Sequence, residues 1–292
     1  TGNDSVMLLK KEHTLFGETS EFQGKANITG SRPLTGQNNF FLVTVEIGEK
    51  ANLHNTTEVR LSEINFSDNT FHKPDPETVY RKQRIGLAVR KHMDDNVHTY
   101  RIPGLEVTGS GTLLAVYDIR RESSRDLQGD IDIGVSRSTD GGNTWEPMRI
   151  GLDMKTWGGL PEKFNGVSDA CILADRNSGT IFLAGLWMHG VINDEGRWIE
   201  NLNESSKEWN HQWRTKGSQP GFGVKQTSQF LITSSTDDGK TWSEPVNITK
   251  MCKKEEWWLF APAPGHGITL EDGTLVFPTQ GRDRNGETFS NI

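Results

Sequence analysis

Cysteine and tyrosine are scarce in this chain of 292 residues, with two of the first and three of the second. Two cysteines say little about compartment. Cys171 lies in the apolar run Ala170-Cys171-Ile172-Leu173-Ala174 and reads as a buried thiol, whereas Cys252 stands between Met251 and two lysines. A disulfide between them is the weaker reading, and neither has the spacing of a metal ligand. No apolar run approaches the ~18 residues of a membrane span. Basic charge is short as well: 32 Lys and Arg against 39 Asp and Glu leave a net charge of −7. That balance speaks against nucleic acid, whose binders carry a basic face. An anionic ligand would need a local basic cluster acting against the overall field. No secretory leader opens the chain, so a mature or trimmed form, or a protein kept inside, is expected.

Glycine (31) and tryptophan (9) are plentiful, and they recur in a pattern. Ser138-Thr139-Asp140-Gly141-Gly142-Asn143-Thr144-Trp145 returns 97 positions later as Ser235-Thr236-Asp237-Asp238-Gly239-Lys240-Thr241-Trp242. Each copy is followed by Glu-Pro or Ser-Glu-Pro. In such a turn Asp bonds backbone amides, Gly supplies a positive φ and Trp packs beneath the hairpin. This is Asp-box chemistry, with Ser138, Asp140, Gly142, Trp145, Ser235, Asp237, Gly239 and Trp242 as structural residues. It folds a turn and does not catalyse.

Between these turns the chain reads as short strands with no convincing helix. Leu113–Tyr117, Ile131–Ser136, Cys171–Ala174, Thr180–Leu186 and Phe230–Ser234 are strand candidates. Asp175–Gly179 and Glu271-Asp272-Gly273 are hairpin signals. Short strands with a repeated turn mean a sandwich, barrel or propeller, and the repeat favours the propeller. Residues 190–222, polar and rich in tryptophan, interrupt the pattern and read as a long loop over one face. Residues 1–80 read as a separate β domain, sandwich-like, with strands at Phe40–Ile47 and Val59–Phe66. Lys73-Pro74-Asp75-Pro76-Glu77 is the expected linker, and 81–292 the second domain.

Tyr100-Arg101-Ile102-Pro103 lies upstream of the first Asp-box. With that stretch and two boxes, residues 85–292 resemble the sialidases (neuraminidases) of glycoside hydrolase family 33. Gln219-Pro220-Gly221-Phe222-Gly223 and the run Gly267 to Pro278 fit the same resemblance, and residues 30–66 resemble the β domain of Bacteroides-type sialidases. The resemblance implies an all-β chain: the N-terminal β domain followed by part of a six-bladed β-propeller. It also implies an exo-α-sialidase that cleaves terminal α-linked sialic acid with retention and without a cofactor or metal. Arginine suits such a ligand because guanidinium is planar, always charged and bidentate toward carboxylate.

Residue by residue, Arg101 matches the first arginine of the family's carboxylate-binding triad. Arg120 matches an arginine near the carboxylate and the sugar's 4-position, with Arg121 as its rival. Asp126 matches the general acid, a role that needs a coverable loop and a tuned carboxyl; Asp130 and Asp132 compete by proximity. Asp169 matches an aspartate lining the sugar site. Trp187 reads equally as a wall for the acetamido methyl or as core, and Phe222 as a wall on the glycerol side.

The family's nucleophile is a late tyrosine paired with a glutamate, an exception to two-carboxylate glycosidases. Tyr80, Tyr100 and Tyr117 are all too early for it. At ~40–45 residues per blade, 85–292 holds about three blades. The chain is therefore expected to be the N-terminal portion of such an enzyme and inactive alone. Partners implied are sialylated glycans, and the implied place is periplasmic, cell-surface or extracellular. An intramolecular trans-sialidase would share these residues. The alternative from another class is a non-catalytic sialoglycan-binding propeller. A two-carboxylate Asp-box glycosidase, which needs no arginine cluster, is the third reading.

Overall fold

The structure, a computed structural model, describes residues 14–20, 24–34, 36, 39, 41–52, 55–75, 80–127, 129–159, 162–189, 218–224 and 227–292. The chain divides into two compact units, Thr1–Leu87 and Ala88–Ile292. In the first, β1 (Thr56–Arg60) pairs with β4 (Tyr80–Arg84), and β2 (Ile64–Asn65) with β3 (Phe71–His72). Because β4 follows the Pro-Asp-Pro stretch and returns to β1, the division falls at Leu87/Ala88, after the prolines. Residues 41–48 form no strand, contrary to their composition. Phe41, Leu42, Val43, Val45 and Ile47 are exposed there. Strand propensity expresses packing against neighbours, and among the described residues no strand pairs with them.

The second unit runs through successive antiparallel sets. The first is β5 (Thr99–Val107), β6 (Leu113–Arg120), β7 (Ile131–Ser138) and β8 (Arg149–Leu152). The second is β9 (Asn165–Ala174), β10 (Ile181–His189), β11 (Gln229–Ser235) and β12 (Val246–Asn247). After the four-residue helix α1 (Thr249–Cys252) come β13 (Leu259–Pro262), β14 (Gly265–His266), β15 (Ile268–Thr269), β16 (Leu275–Val276), β17 (Thr279–Arg282) and β18 (Thr288–Asn291). A parallel bridge between β7 and β9 at Ile131 and Gly166 joins the two sets into one nine-stranded sheet that β14, parallel to β9, completes; β13, β17 and β18 form a separate three-stranded sheet and β15 and β16 a hairpin. The strands expected in this unit and both expected hairpins are present, whereas the strand expected over Val59–Phe66 in the first unit is split between β1 and β2. Residues 190–217, including Trp198, Trp209 and Trp213 of the expected loop, lie outside the described residues. Cys171 and Cys252 are free thiols.

Why β7 is buried along its whole length, and β6 from Leu114 onward, follows from packing on both faces. Leu114 and Val116 join Ile133, Val135, Val167, Ile172 and Leu183 between the first two sets. Ala115, Tyr117 and Ile119 point the other way, onto Val97, Tyr100 and the Asp-box Trp145. Trp242 of the second box packs on the first cluster. Both boxes close by the same bonds. The Ser138 hydroxyl donates to Asp140 Oδ1 (2.8 Å), which also accepts from the Thr144 amide (2.9 Å). Ser235 and Thr241 treat Asp237 alike, at 2.8 and 2.9 Å. Gly142 and Gly239 hold positive φ, 86° and 76°, and their amides donate to the box serines. The bonds from Thr144 hold Asp140 down to about 2, and those from Thr241 hold Asp237 lower still.

The Tyr-Arg-Ile-Pro stretch is a β-bulge. Arg101 pairs with Asp118 and Gly104 with Val116, so Ile102 and Pro103 both face Tyr117. Ile102 takes φ 54°, a strained value for a β-branched residue, and Pro103 sits where a bulge forgoes a ladder bond. β9 repeats the device: Asp169 and Ala170 face Gly185, and Asp169 takes φ 57°. Bulges re-aim side chains, and both do so at the end of the sheet where Arg120 closes β6.

Gly104 is required by the same geometry. A Cβ there would lie 2.6 Å from the Gly265 carbonyl and 2.9 Å from Val116 Cγ2. Gly104→Ala should destabilise the chain by about 1–3 kcal/mol, seen as a lower urea midpoint. An unchanged midpoint would show that the strands yield freely.

Candidate active site

Arg101 and Arg120 converge although 19 residues apart, because β5 and β6 are neighbours. Arg101 Nη1 donates to the Ser124 carbonyl (3.1 Å) and to Asp126 Oδ1 (3.1 Å). Arg120 Nη1 donates to the same two oxygens, at 3.0 and 2.5 Å. The two arginines differ in burial. The Arg101 side chain is 43% exposed and that of Arg120 1%.

Arg120 is fixed from behind by Asp118, a residue the sequence reading passed over. Asp118 Oδ2 accepts from Arg120 Nε (3.2 Å) and Nη2 (2.8 Å), and from the Ser168 hydroxyl (2.6 Å). Asp118 is wholly buried, and its Oδ1 has no hydrogen-bond partner among the described residues. Burial pushes its carboxyl up to about 7, against the lowering bonds from Ser168 and Arg120. An Asp two positions before an Arg on a strand shares its face, and that spacing was the available signal.

Ser168 leads to Asp169 on the second bulge. Asp169 Oδ2 accepts from Gln280 Nε2 (2.9 Å), which also donates to the Pro262 carbonyl (3.2 Å). Burial raises the Asp169 carboxyl, with the bond from Gln280 working against it. Gln280 comes from β17, 111 residues away, so nothing local announces it.

Asp126 sits in the loop that joins β6 to β7. Its neighbour Leu127, at φ 45°, is buried among Leu186, Met188 and Ala261 and anchors that loop. The competing residues point elsewhere. Arg121 pairs with Asp130 (3.0 Å) and with Asp132, so this arginine and both rival aspartates are engaged with one another. Successive residues at the end of β6 face opposite ways, which separates Arg121 from Arg120.

Trp187 is core. It has 0% exposure, meets Trp157 edge-on at 4.9 Å and belongs to the cluster between the first two sets. As folded it offers a ligand no surface, which removes its reading as a wall. Phe222 is half-buried, with the ammonium groups of Lys253 and Lys250 at 5.5 and 5.9 Å from its ring. Its loop is tied down by Lys253 Nζ on the Gly221 carbonyl (2.9 Å). Tyr100 and Tyr117 are committed elsewhere. The Tyr100 hydroxyl donates to the Asp94 carbonyl (2.8 Å), and Tyr117 shares a buried bond with Ser136 (2.6 Å). Burial lifts the Tyr100 phenol to about 12. No group of acidic, His and Cys side chains suited to a metal occurs among the described residues.

Two four-stranded antiparallel sets, joined by a parallel β7–β9 bridge and each turned by an Asp-box, with two arginines and two aspartates at one end, define an Asp-box β-propeller chain. Residues 102–292 match the BNR repeat-like domain, and the chain belongs to that family. A sialidase of Bacteroides fragilis is 46% identical over 199 residues, 68% of this chain and 33% of that protein. An exo-alpha-sialidase of Aspergillus fumigatus is 29% identical over 64% of this chain and 42% of its own length. A solved Hadza microbial sialidase, 42% identical, aligns with a TM-score of 0.64 over 82% of this chain and 42% of that one. The chain thus spans between a third and under half of the length of these relatives.

Proposed function

We propose that the protein is an exo-α-sialidase that hydrolyses terminal α-linked sialic acid from sialylated glycoconjugates with retention. The observation that carries this reading is the convergence of Arg101 and Arg120 Nη1 on one pair of oxygens. Two guanidinium groups held in that way are built to grip a carboxylate. The similarity to sialidases supports the same ligand.

In this reading Arg101 and Arg120 bind the sugar carboxylate, and Asp126 protonates the leaving oxygen. Asp169, held by Gln280, meets the sugar's polar face. Attack falls to the tyrosine–glutamate pair that the resemblance implies, since Tyr100 and Tyr117 are bonded into the fold.

The test is release of sialic acid from a fluorogenic α-sialoside by the full-length protein. Asp126→Ala should slow release by about a hundredfold or more, in the range of a lost general acid. Arg101→Ala should chiefly raise KM. Binding of sialosides without any turnover would replace this reading with a sialoglycan-binding propeller.

A further inference from the structure

The two arginines are already occupied by the chain itself. Each presents Nη1 to two oxygens, the Ser124 carbonyl and Asp126 Oδ1, and both arginines share both oxygens. Two oxygens held between two guanidinium groups is the arrangement that a ligand's carboxylate would take.

We infer that Ser124 and Asp126 form an internal stand-in for the ligand carboxylate, so that a ligand must displace Asp126 to reach the two arginines. The inference rests on the reading of Arg101 and Arg120 as carboxylate-binding residues.

The loop is made for such an exchange. Its far end is pinned by buried Leu127, and Arg121 N closes it on the Asp130 carbonyl at 3.3 Å. Asp126 itself is 55% exposed on its side chain, and its bonds are the two to the arginines. Rotation of that side chain opens one acceptor position at each Nη1, the Ser124 carbonyl keeping the other, and leaves Asp118 holding Arg120. The displaced carboxylate stays beside the site, where a general acid is wanted.

A tethered competitor acts at an effective concentration on the order of millimolar. A small carboxylate such as acetate exchanges one carboxylate for another and gains little. A sialic acid brings further hydroxyl and amide contacts, and so can win. The loop thus raises the apparent dissociation constant of every ligand that uses the arginines by one common factor, which leaves weak, simple anions mostly unbound while a ligand with further contacts still binds.

The test uses the 292-residue chain, with arginine side-chain NMR signals titrated by acetate and by N-acetylneuraminic acid. Wild type is compared with Asp126→Asn and Asp126→Ala, two substitutions at an exposed side chain, with melting curves as a check of folding. Both variants should bind acetate about tenfold more tightly than wild type, a gain suited to removing one charge-assisted competitor. N-acetylneuraminic acid should tighten by a similar factor, because the same competitor is removed for both ligands. Tighter acetate with no preference for the sugar acid in any form would keep the internal competitor and sink the sialidase reading. Sugar-acid binding with no gain for acetate in either variant would sink the competitor and keep the sialidase reading. Binding of neither ligand to any form would overturn both.

Discussion

Asp118→Ala should cost the chain about 3–5 kcal/mol in unfolding experiments, the scale for removing one partner of a buried ion pair. Arg120 is 1% exposed and has two of its nitrogens on Asp118. Without that carboxyl the guanidinium keeps its charge in a space with little water. Domains are stable by ~5–15 kcal/mol, so the loss is a large share. Asp118→Asn retains the shape and separates charge from packing through pH. Burial holds the Asp118 carboxyl at about 7 in the folded chain, above its ordinary value. The folded state therefore binds more protons than the unfolded one between about pH 4 and pH 7. This group's contribution is fully present below about pH 4, declines as pH rises to about 7, and is flat beyond. Asn does not titrate, so the stability gap between wild type and Asp118→Asn should narrow over that window. Subtracting the two curves removes Asp132 and Asp169, whose carboxyls are also raised by burial. A gap that widens with pH would mean that the attraction of Arg120 outweighs burial, and this account of Asp118 would fall.

Asp238→Ala should cost about 2–4 kcal/mol, because one carboxylate there fastens two blades together. Asp238 Oδ1 accepts from Thr108 (2.7 Å) and Ser110 (2.8 Å), and Oδ2 from Thr112 (2.6 Å) and Arg137 Nη2 (3.0 Å). Its carbonyl takes Arg137 Nε as well, at 2.7 Å. Thr108–Thr112 is the β5–β6 hairpin and Arg137 lies on β7, so every donor belongs to the first blade. Asp238 belongs to the Asp-box of the second. It also holds φ 64°, and the first box has Gly141 at that position, φ 70°. Glycine is the easier residue there, so the bonds across the blades offset the cost of an Asp. Burial raises the carboxyl, but the three hydroxyls and Arg137 outweigh it and the net shift is downward. The contribution is thus present above the ordinary carboxylate pKa and lost as pH falls through the lowered one. Urea midpoints of wild type and Asp238→Ala should therefore approach each other in strong acid. A midpoint for Asp238→Ala equal to wild type at neutral pH would show that the blades are held by apolar packing alone.

What the sequence determined by itself is local. The Asp-box turns could be read because their bonds run from Ser138 to Thr144, and from Ser235 to Thr241, within one short stretch. Hairpins at Asp175–Gly179 and Glu271–Gly273 were legible for the same reason, since turn chemistry needs only neighbours. Arg101, Arg120 and Asp126 were legible through a motif that spans 26 residues and two adjacent strands.

Tertiary structure decided the rest. Ser168 meets Asp118 across 50 positions, Gln280 meets Asp169 across 111 and Thr108 meets Asp238 across 130. Each of these contacts exists only because one blade stacks on the next. Stacking also decided between the two readings of Trp187, which lies in the core shared by the first two blades. Phe41 to Ile47 make the converse case: strand-like composition gave no strand without a partner to pair with. A turn is set by residues that are neighbours in the chain, whereas a site between sheets is set by residues that become neighbours only when the sheets pack.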